Sequence, residues 1–244
     1  MIEGAKYFII RNVTVSNYAK PYGHFIYSGI YIGNGQFGLI ENCLIVNCSI
    51  GISLANGRGD PTEITHTIKI NNCRFIGSHN DSLTGLGFAI SLYGLTFSSG
   101  TTRIRNITVS HNDIYNYYCG IEARNAEDIY ISNNRIETNF GYLVQVGIFF
   151  YTVNDSTITN NDLYGCEFGG HDYEEPKASN DGFSINMDNC FNVLVYGNRY
   201  YDLDGNLITE FNELEPIYWI FVILGIVIVV VVSLIIFKKR KSKI

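Results

Sequence analysis

Before Glu215 the apolar residues come in short bursts that alternate with polar ones, as in "IKIN" at 68–71, "ITVS" at 107–110, "IYIS" at 129–132 and "STIT" at 156–159. Alternation at period two sends one set of side chains to one face of a strand, and no stretch in this part repeats with helical spacing. The bursts are themselves repeated. "LIENCLIV", "IKINNCRFI", "ITVSHNDIY", "IYISNNRIE", "STITNNDLY" and "VLVYGNRYY" superpose on a shared asparagine, at Asn42, Asn72, Asn112, Asn134, Asn161 and Asn198, with separations of 30, 40, 22, 27 and 37 residues. A second element precedes each one: "GIYI" from Gly29, "GISL" from Gly51, "GFAISL" from Gly87, "GIEA" from Gly120, "GIFF" from Gly147 and "GFSI" from Gly182. Self-similarity at such a period belongs to repeat architectures. Two or three short strands per unit, turn residues between them and no helix predict an all-β solenoid, a parallel β-helix. Stacking at roughly 4.8 Å per coil would bring the six asparagines into one amide ladder. Asn134 is then a ladder member and Asn133 its turn neighbour, because asparagine tolerates the left-handed backbone of a sharp bend.

Over about residues 5–205 these repeats resemble the right-handed parallel β-helix repeats of pectate-lyase-like proteins and of NosD-type, carbohydrate-associated surface and periplasmic proteins. The resemblance implies a right-handed coil. It does not choose an activity, because that fold carries lyases, hydrolases, epimerases, adhesins and spacers alike. The ending "GNRYYDLDGN" at 197–206 is similar to the close of NosD-type modules, and Asp-Gly-Asn within "YYDLDGNLITEF" predicts a hairpin turn that caps the last coil.

From Ile217 to Phe237 the chain has 21 residues without a charge. As a helix they span roughly 32 Å, enough to cross the hydrocarbon core of a bilayer, so a single transmembrane α-helix is expected to follow the solenoid. Tyr218 and Trp219 suit one interface, and Lys238, Lys239, Arg240, Lys241 and Lys243 mark the other side as cytoplasmic. The expected organisation is a β-helix ectodomain with cap and short stalk over 1–215, a membrane helix over 217–237 and a basic cytoplasmic tail over 238–244. That describes a single-pass protein of the cell membrane with its coils outside. The opening "MIEGAKYFIIRNVTVSN" does not read as a signal peptide, and "FIIRNVTVSN" reads as the end of a coil. The expectation is therefore the C-terminal part of a longer surface protein.

The whole chain carries a formal charge of −6; with the five basic tail residues set aside, residues 1–215 hold 12 Lys and Arg against 23 Asp and Glu, a net −11. Such a surface repels the phosphate backbone, so nucleic acid is excluded as a partner. It is compatible with calcium, and no other cofactor is expected. The six cysteines, Cys43, Cys48, Cys73, Cys119, Cys166 and Cys190, form no C-x-x-C and no metal-ligand spacing. Cys43 and Cys73 directly follow the shared asparagine, which predicts small buried thiols rather than bridges. Sequons begin at Asn12, Asn47, Asn80, Asn106 and Asn154.

Chemistry is expected where insertions interrupt the coils, at about 56–67, 77–86, 94–105, 138–146 and 164–181. The richest is "YGCEFGGHDYEEPKASNDGFSI", whose Glu167, His171, Asp172 and Asp181 are the candidates for acid–base work, because glycosidic cleavage needs two carboxyls across the sugar. "NDGFSI" is similar to the Asn-Thr-Asp-Gly motif of polygalacturonase-type hydrolases, without its threonine and without a later Asp-Asp pair or Arg-Ile-Lys. The same residues serve as the turn into a strand, and that reading is preferred. Arg103, Arg105 and Arg124 are bases of the kind a lyase requires, with no acidic set in register. Tyr117, Tyr118, Tyr151 and Tyr173 are the candidate aromatic platforms for sugars.

Two classes of function follow. The first is a membrane-anchored, extracytoplasmic β-helix module for glycan or surface-protein binding, adhesion or spacing. The second is a polysaccharide lyase or glycoside hydrolase acting on an acidic or neutral polysaccharide.

Overall fold

The computed structural model describes residues 1–17, 28–56, 64–77, 87–97, 100–137, 146–165, 185–202 and 204–212. Among them the backbone forms strands and turns with no helix. Ser28–Gly33, Gln36–Glu41 and Leu44–Val46 make one coil, and each strand pairs in parallel with its counterpart in the next coil, Ile50–Ala55, His66–Asn71 and Arg74–Ile76. The same pairing runs from Ile2–Glu3, Ile9–Arg11 and Thr14–Ser16 at one end to Ile185–Asp188 and Phe191–Tyr201 at the other, giving seven coils. Three parallel stacks result, here called the first, second and third sheets in the order the chain visits them. In two coils the chain passes from first to second sheet without a break, as Cys119–Ser132 and Val146–Thr159. Leu207–Asn212 folds back antiparallel on Phe191–Tyr201 and closes the last coil. Its turn is the expected hairpin, with Gly205 at φ 82° and Asp202 accepting from the backbone N–H and the Nδ2 of Asn206 at 2.7 and 2.9 Å.

Inward residues stack by type. Ile30, Ile52, Ile90, Ile121, Ile148 and Ile185 form one column of the first sheet. Ile40, Ile70, Val109, Ile131, Ile158 and Val195 do the same in the second. β-branched side chains suit this packing, and full burial of each contributes about 1.5–3 kcal/mol. The second position of the first-sheet strands admits only small residues. A Cβ on Gly51 would lie 2.5 Å from the Ala89 carbonyl oxygen, and one on Gly120 2.6 Å from that of Gly147. Phe88 pairs with Ile50 and Ile90 with Ile52, so Ala89, not Gly87, takes this slot in the fourth coil.

Most corners between the sheets hold left-handed residues. Twenty non-glycine residues have positive φ among those described, and thirteen are asparagine. Tyr7, Phe37, Thr67, Asn106, Asp128, Asp155 and Asn192 line up between the first and second sheets. Asn12, Asn42, Asn72, His111, Asn133, Asn160 and Gly197 line up between the second and third. For most L-residues this conformation costs about 1–2 kcal/mol, and asparagine adopts it more readily.

This second column corrects the expected ladder by one position. Asn42 and Asn72 stand with Asn133 at the turn; the next slot holds Cys43, Cys73, Asn112, Asn134, Asn161 and Asn198. The amide ladder therefore has four members. Asn112 donates through its backbone N–H and its Nδ2 to Asn134 Oδ1, both at 3.0 Å. Asn134 donates likewise to Asn161 at 3.0 and 2.9 Å, and Asn161 to Asn198 at 2.9 and 2.9 Å. At the ladder's end Asn112 Oδ1 accepts the Cys73 N–H at 2.9 Å. The thiols then continue in the amide's place: Cys73 Sγ donates to Ile40 and Asn71 carbonyls, Cys43 Sγ to those of Ile10 and Glu41. Burial pushes the Cys73 thiol up to about 12.

On the outer side of the third sheet Arg74, Asp113, Arg135, Asp162 and Arg199 follow one another in register. Arg199 grips Asp162 with two hydrogen bonds, at 2.7 and 2.8 Å. Beside them Arg135 lies 4.6 Å over the Tyr164 ring, and Tyr164 stacks on Tyr201 with centroids 4.4 Å apart. Residues 217–237, expected to cross a membrane, lie outside the described residues, among which no helix is long and apolar enough to do so.

Candidate functional site

Strand alternation turns two columns of the first sheet outward. Tyr31, Ser53, Ser91, Glu122, Phe149 and Asn186 form one; Tyr93, Arg124, Tyr151 and Asp188 belong to the other. Outward positions of a solenoid usually meet solvent, yet Ser53 and Ser91 are 0% exposed and Glu122 is 2% exposed. A carboxyl buried to that degree needs partners to stay charged. Ser91 Oγ donates to Glu122 Oε2 at 3.1 Å, and Arg124 Nε donates to Oε1 at 2.5 Å. Burial raises the affinity of Glu122 for its proton, with Arg124 and then Ser91 pulling the other way, and the net shift is upward.

Arg124 also faces two rings, with its guanidinium carbon 5.2 Å from the Phe149 centroid and 5.8 Å from that of Tyr151. The buried Ser53 hydroxyl makes no hydrogen bond to the protein. Polar groups thus converge in the third, fourth and fifth coils, with Tyr31 one coil before them and Phe149 and Tyr151 one coil after. At about 4.8 Å per coil the strip is roughly 19 Å long. Of these groups the Arg124 side chain, 40% exposed, and the half-buried rings reach the surface, and flat rings beside a guanidinium can hold a sugar by its apolar face and its hydroxyls.

Of the candidate residues, Tyr151 belongs to this strip. Tyr117 does not: it is 2% exposed, packs in the core and has a hydroxyl without a partner, so burial drives its phenol pKa up. A ring enclosed in that way presents no face to a sugar, which corrects the expectation for Tyr117. Tyr118 is half-buried at the corner that opens Cys119–Ser132, outside the two columns. Glu167, His171, Asp172, Tyr173 and Asp181 lie outside the described residues, as does Cys166. Cys43, Cys48, Cys73, Cys119 and Cys190 form no disulfide with one another.

Two of the arginines have single acidic partners, Arg124 with Glu122 and Arg103 with Glu127 at 3.7 Å, and among the described residues no group of three or more potential metal ligands stands beside them. Ser53, Ser91 and Glu122 went unrecognised because they lie inside strand elements, not in insertions. Their signal was present in the repeats, where the slot that reads Tyr, Ser, Ser and Phe in the second, third, fourth and sixth coils reads Glu in the fifth.

A family model described as "Right handed beta helix region" matches residues 88–213, 126 of the 244 residues. No curated protein and no solved structure matches the chain. The coils before residue 88 continue the same parallel pairings, from Ile2–Glu3 onward. With the matched segment covering more than half its length, this chain belongs to the right-handed β-helix family.

Proposed function

We propose that this chain is a membrane-anchored β-helix module that binds glycan chains along the outer side of its first sheet, with its coils facing outward and its basic tail in the cytoplasm. The observation that carries the binding role is the 40% exposed Arg124 side chain, held from below by the buried Glu122 and set beside the half-buried rings of Phe149 and Tyr151. Support for the anchor is the charge-free run over 217–237 and the basic residues after it. The acidic balance of residues 1–215 favours a calcium-containing exterior, so binding assays should include that ion.

The test is calorimetric titration of the full-length chain in detergent with oligosaccharides selected on a glycan array. Arg124→Ala combined with Tyr151→Ala should weaken binding about ten-fold or more, the equivalent of ~1.4 kcal/mol. Unchanged affinity would move the site elsewhere.

A second reading, glycoside hydrolysis, has one observation in its favour. Glu122 is a carboxyl raised by burial, as a general acid must be, and Asp188 offers another carboxyl two coils further along the Arg124 column. Release of reducing ends that disappears in Glu122→Gln would establish it.

A further inference from the structure

Among the described residues, exposed large apolar side chains gather at the two ends of the stack. In the last coil and its hairpin they are Met187, Phe191, Leu194 and Leu207. Met187 belongs to the inward column of Ile32, Leu54, Leu92, Ala123 and Phe150, each 0% exposed, yet it is 42% exposed itself. Phe191, 73% exposed, opens the next strand of the same coil, and Leu194 follows three residues later. The cap is partial. Leu207–Asn212 pairs with Tyr196–Tyr201 alone, so among the described residues no strand covers the far edge of Ile185–Asp188 or of residues 191–195. An apolar end with open strand edges needs a cover.

The chain itself limits what that cover is. Asn212 lies beside Tyr196, one strand spacing beyond the last coil. Only residues 213–216 separate it from the charge-free run over 217–237, and fully extended they reach at most roughly 18 Å. With that run in a bilayer, the tether holds the open end close to the membrane surface at high effective concentration. The depth is limited too. Open backbone N–H and C=O groups do not enter hydrocarbon, but water and headgroups pair with them at the interface while Met187, Phe191 and Leu194 meet the first acyl carbons. Residues 185–212 hold Asp188, Asp202, Asp204 and Glu210 against Arg199 alone, a balance that suits zwitterionic rather than anionic headgroups.

From these observations we infer that the last coil seats on the bilayer: its open end, led by Phe191 and Leu194, is a contact surface for zwitterionic lipid, and the solenoid stands end-on above it. The inference rests on the membrane anchor proposed above and adds how the coils are held over that anchor.

The experiment uses the full-length chain reconstituted in phosphatidylcholine vesicles. Trp219 is the sole tryptophan, so the wild type reports on the anchor. Phe191→Trp, Leu194→Trp and Phe37→Trp, each combined with Trp219→Phe, report on the last coil and on the second. Phosphatidylcholine carrying a spin label on its headgroup should lower the fluorescence of both last-coil probes about two-fold or more, as for side chains at headgroup level. The Phe37→Trp probe, five coil spacings or roughly 24 Å away, should keep its intensity. Mixing in phosphatidylserine should lessen the quenching of the last-coil probes. Circular dichroism checks each variant, and either last-coil probe carries the test should the other not fold.

Unquenched last-coil probes, in a chain whose Trp219 is quenched by acyl-chain-brominated lipid, overturn the seating and leave the anchor standing. Equal quenching of Phe37→Trp overturns the end-on arrangement, and stronger quenching with phosphatidylserine overturns the headgroup class. A wild type whose Trp219 is unquenched and which does not float with the vesicles overturns the anchor itself.

Discussion

Asn134 Oδ1 accepts two hydrogen bonds from a single neighbour, one from the backbone N–H of Asn112 and one from its side-chain Nδ2, each at 3.0 Å. Both residues are 1% exposed, so water cannot replace either bond. Asn134→Ala would strand two donors of Asn112 and release the Val109 carbonyl that Asn134 Nδ2 reaches at 3.0 Å. At about 1–3 kcal/mol for each unsatisfied buried group, with partial relaxation, the loss should be about 2–4 kcal/mol. Urea unfolding followed by circular dichroism measures it; a midpoint equal to wild type would mean that the ladder contributes nothing to stability.

Thr152 holds φ 55°, a left-handed value that suits a β-branched residue badly, at the corner that ends the first sheet. Asn34, Asn125 and Asn189 occupy equivalent corners with φ of 51°, 48° and 50°. Thr152→Asn should therefore stabilise the protein by about 0.5–1 kcal/mol, which for a domain of this size raises Tm by about 1–4 °C. A fall in Tm would show that the threonine side chain makes a contact worth more than the strain it causes.

Glu122 makes stability depend on pH in a defined direction. Its folded-state pKa lies above the ordinary value of 4.5, chiefly through burial. Below about 4.5 the carboxyl is protonated in both states. As pH rises from there through the folded-state pKa, the unfolded chain gives up its proton first, so this residue's contribution declines across that window. The difference in Tm between wild type and Glu122→Gln should therefore shift against the wild type as pH rises. A difference that is flat or moves the other way would contradict the burial of this carboxyl.

The architecture was legible in the sequence because a coil repeats its inward isoleucines: Ile52, Ile90, Ile121 and Ile148 stand in one column, and "I-x-I" marks each visit. The alignment of the asparagines was harder to read. The left-handed slot selects asparagine for its backbone and the next slot selects it for its amide, so "NNC" at 71–73 and "SNN" at 132–134 look interchangeable although they are offset by one. The glycine slot misled in the same way at Gly87, since Ala89 satisfies the same steric demand. Tyr117 was misplaced because it sits at a corner, where alternation no longer tells inside from outside. Glu122 could have been found by alternation; a carboxyl within a strand drew less notice than the acid-rich insertion over 164–181.

A stack of near-identical coils has an ambiguity that an ordinary core does not: neighbours are chemically so alike that skipping one during assembly would bury the same isoleucines. The column Arg74, Asp113, Arg135, Asp162, Arg199 acts as a parity check against that error. Leaving out the coil of Asp113, Arg135 or Asp162 sets arginine on arginine or aspartate on aspartate at the splice, and like charges directly opposed across strands are destabilising. Hydrophobic stacking tells the chain to coil; the alternating signs on its outside keep count.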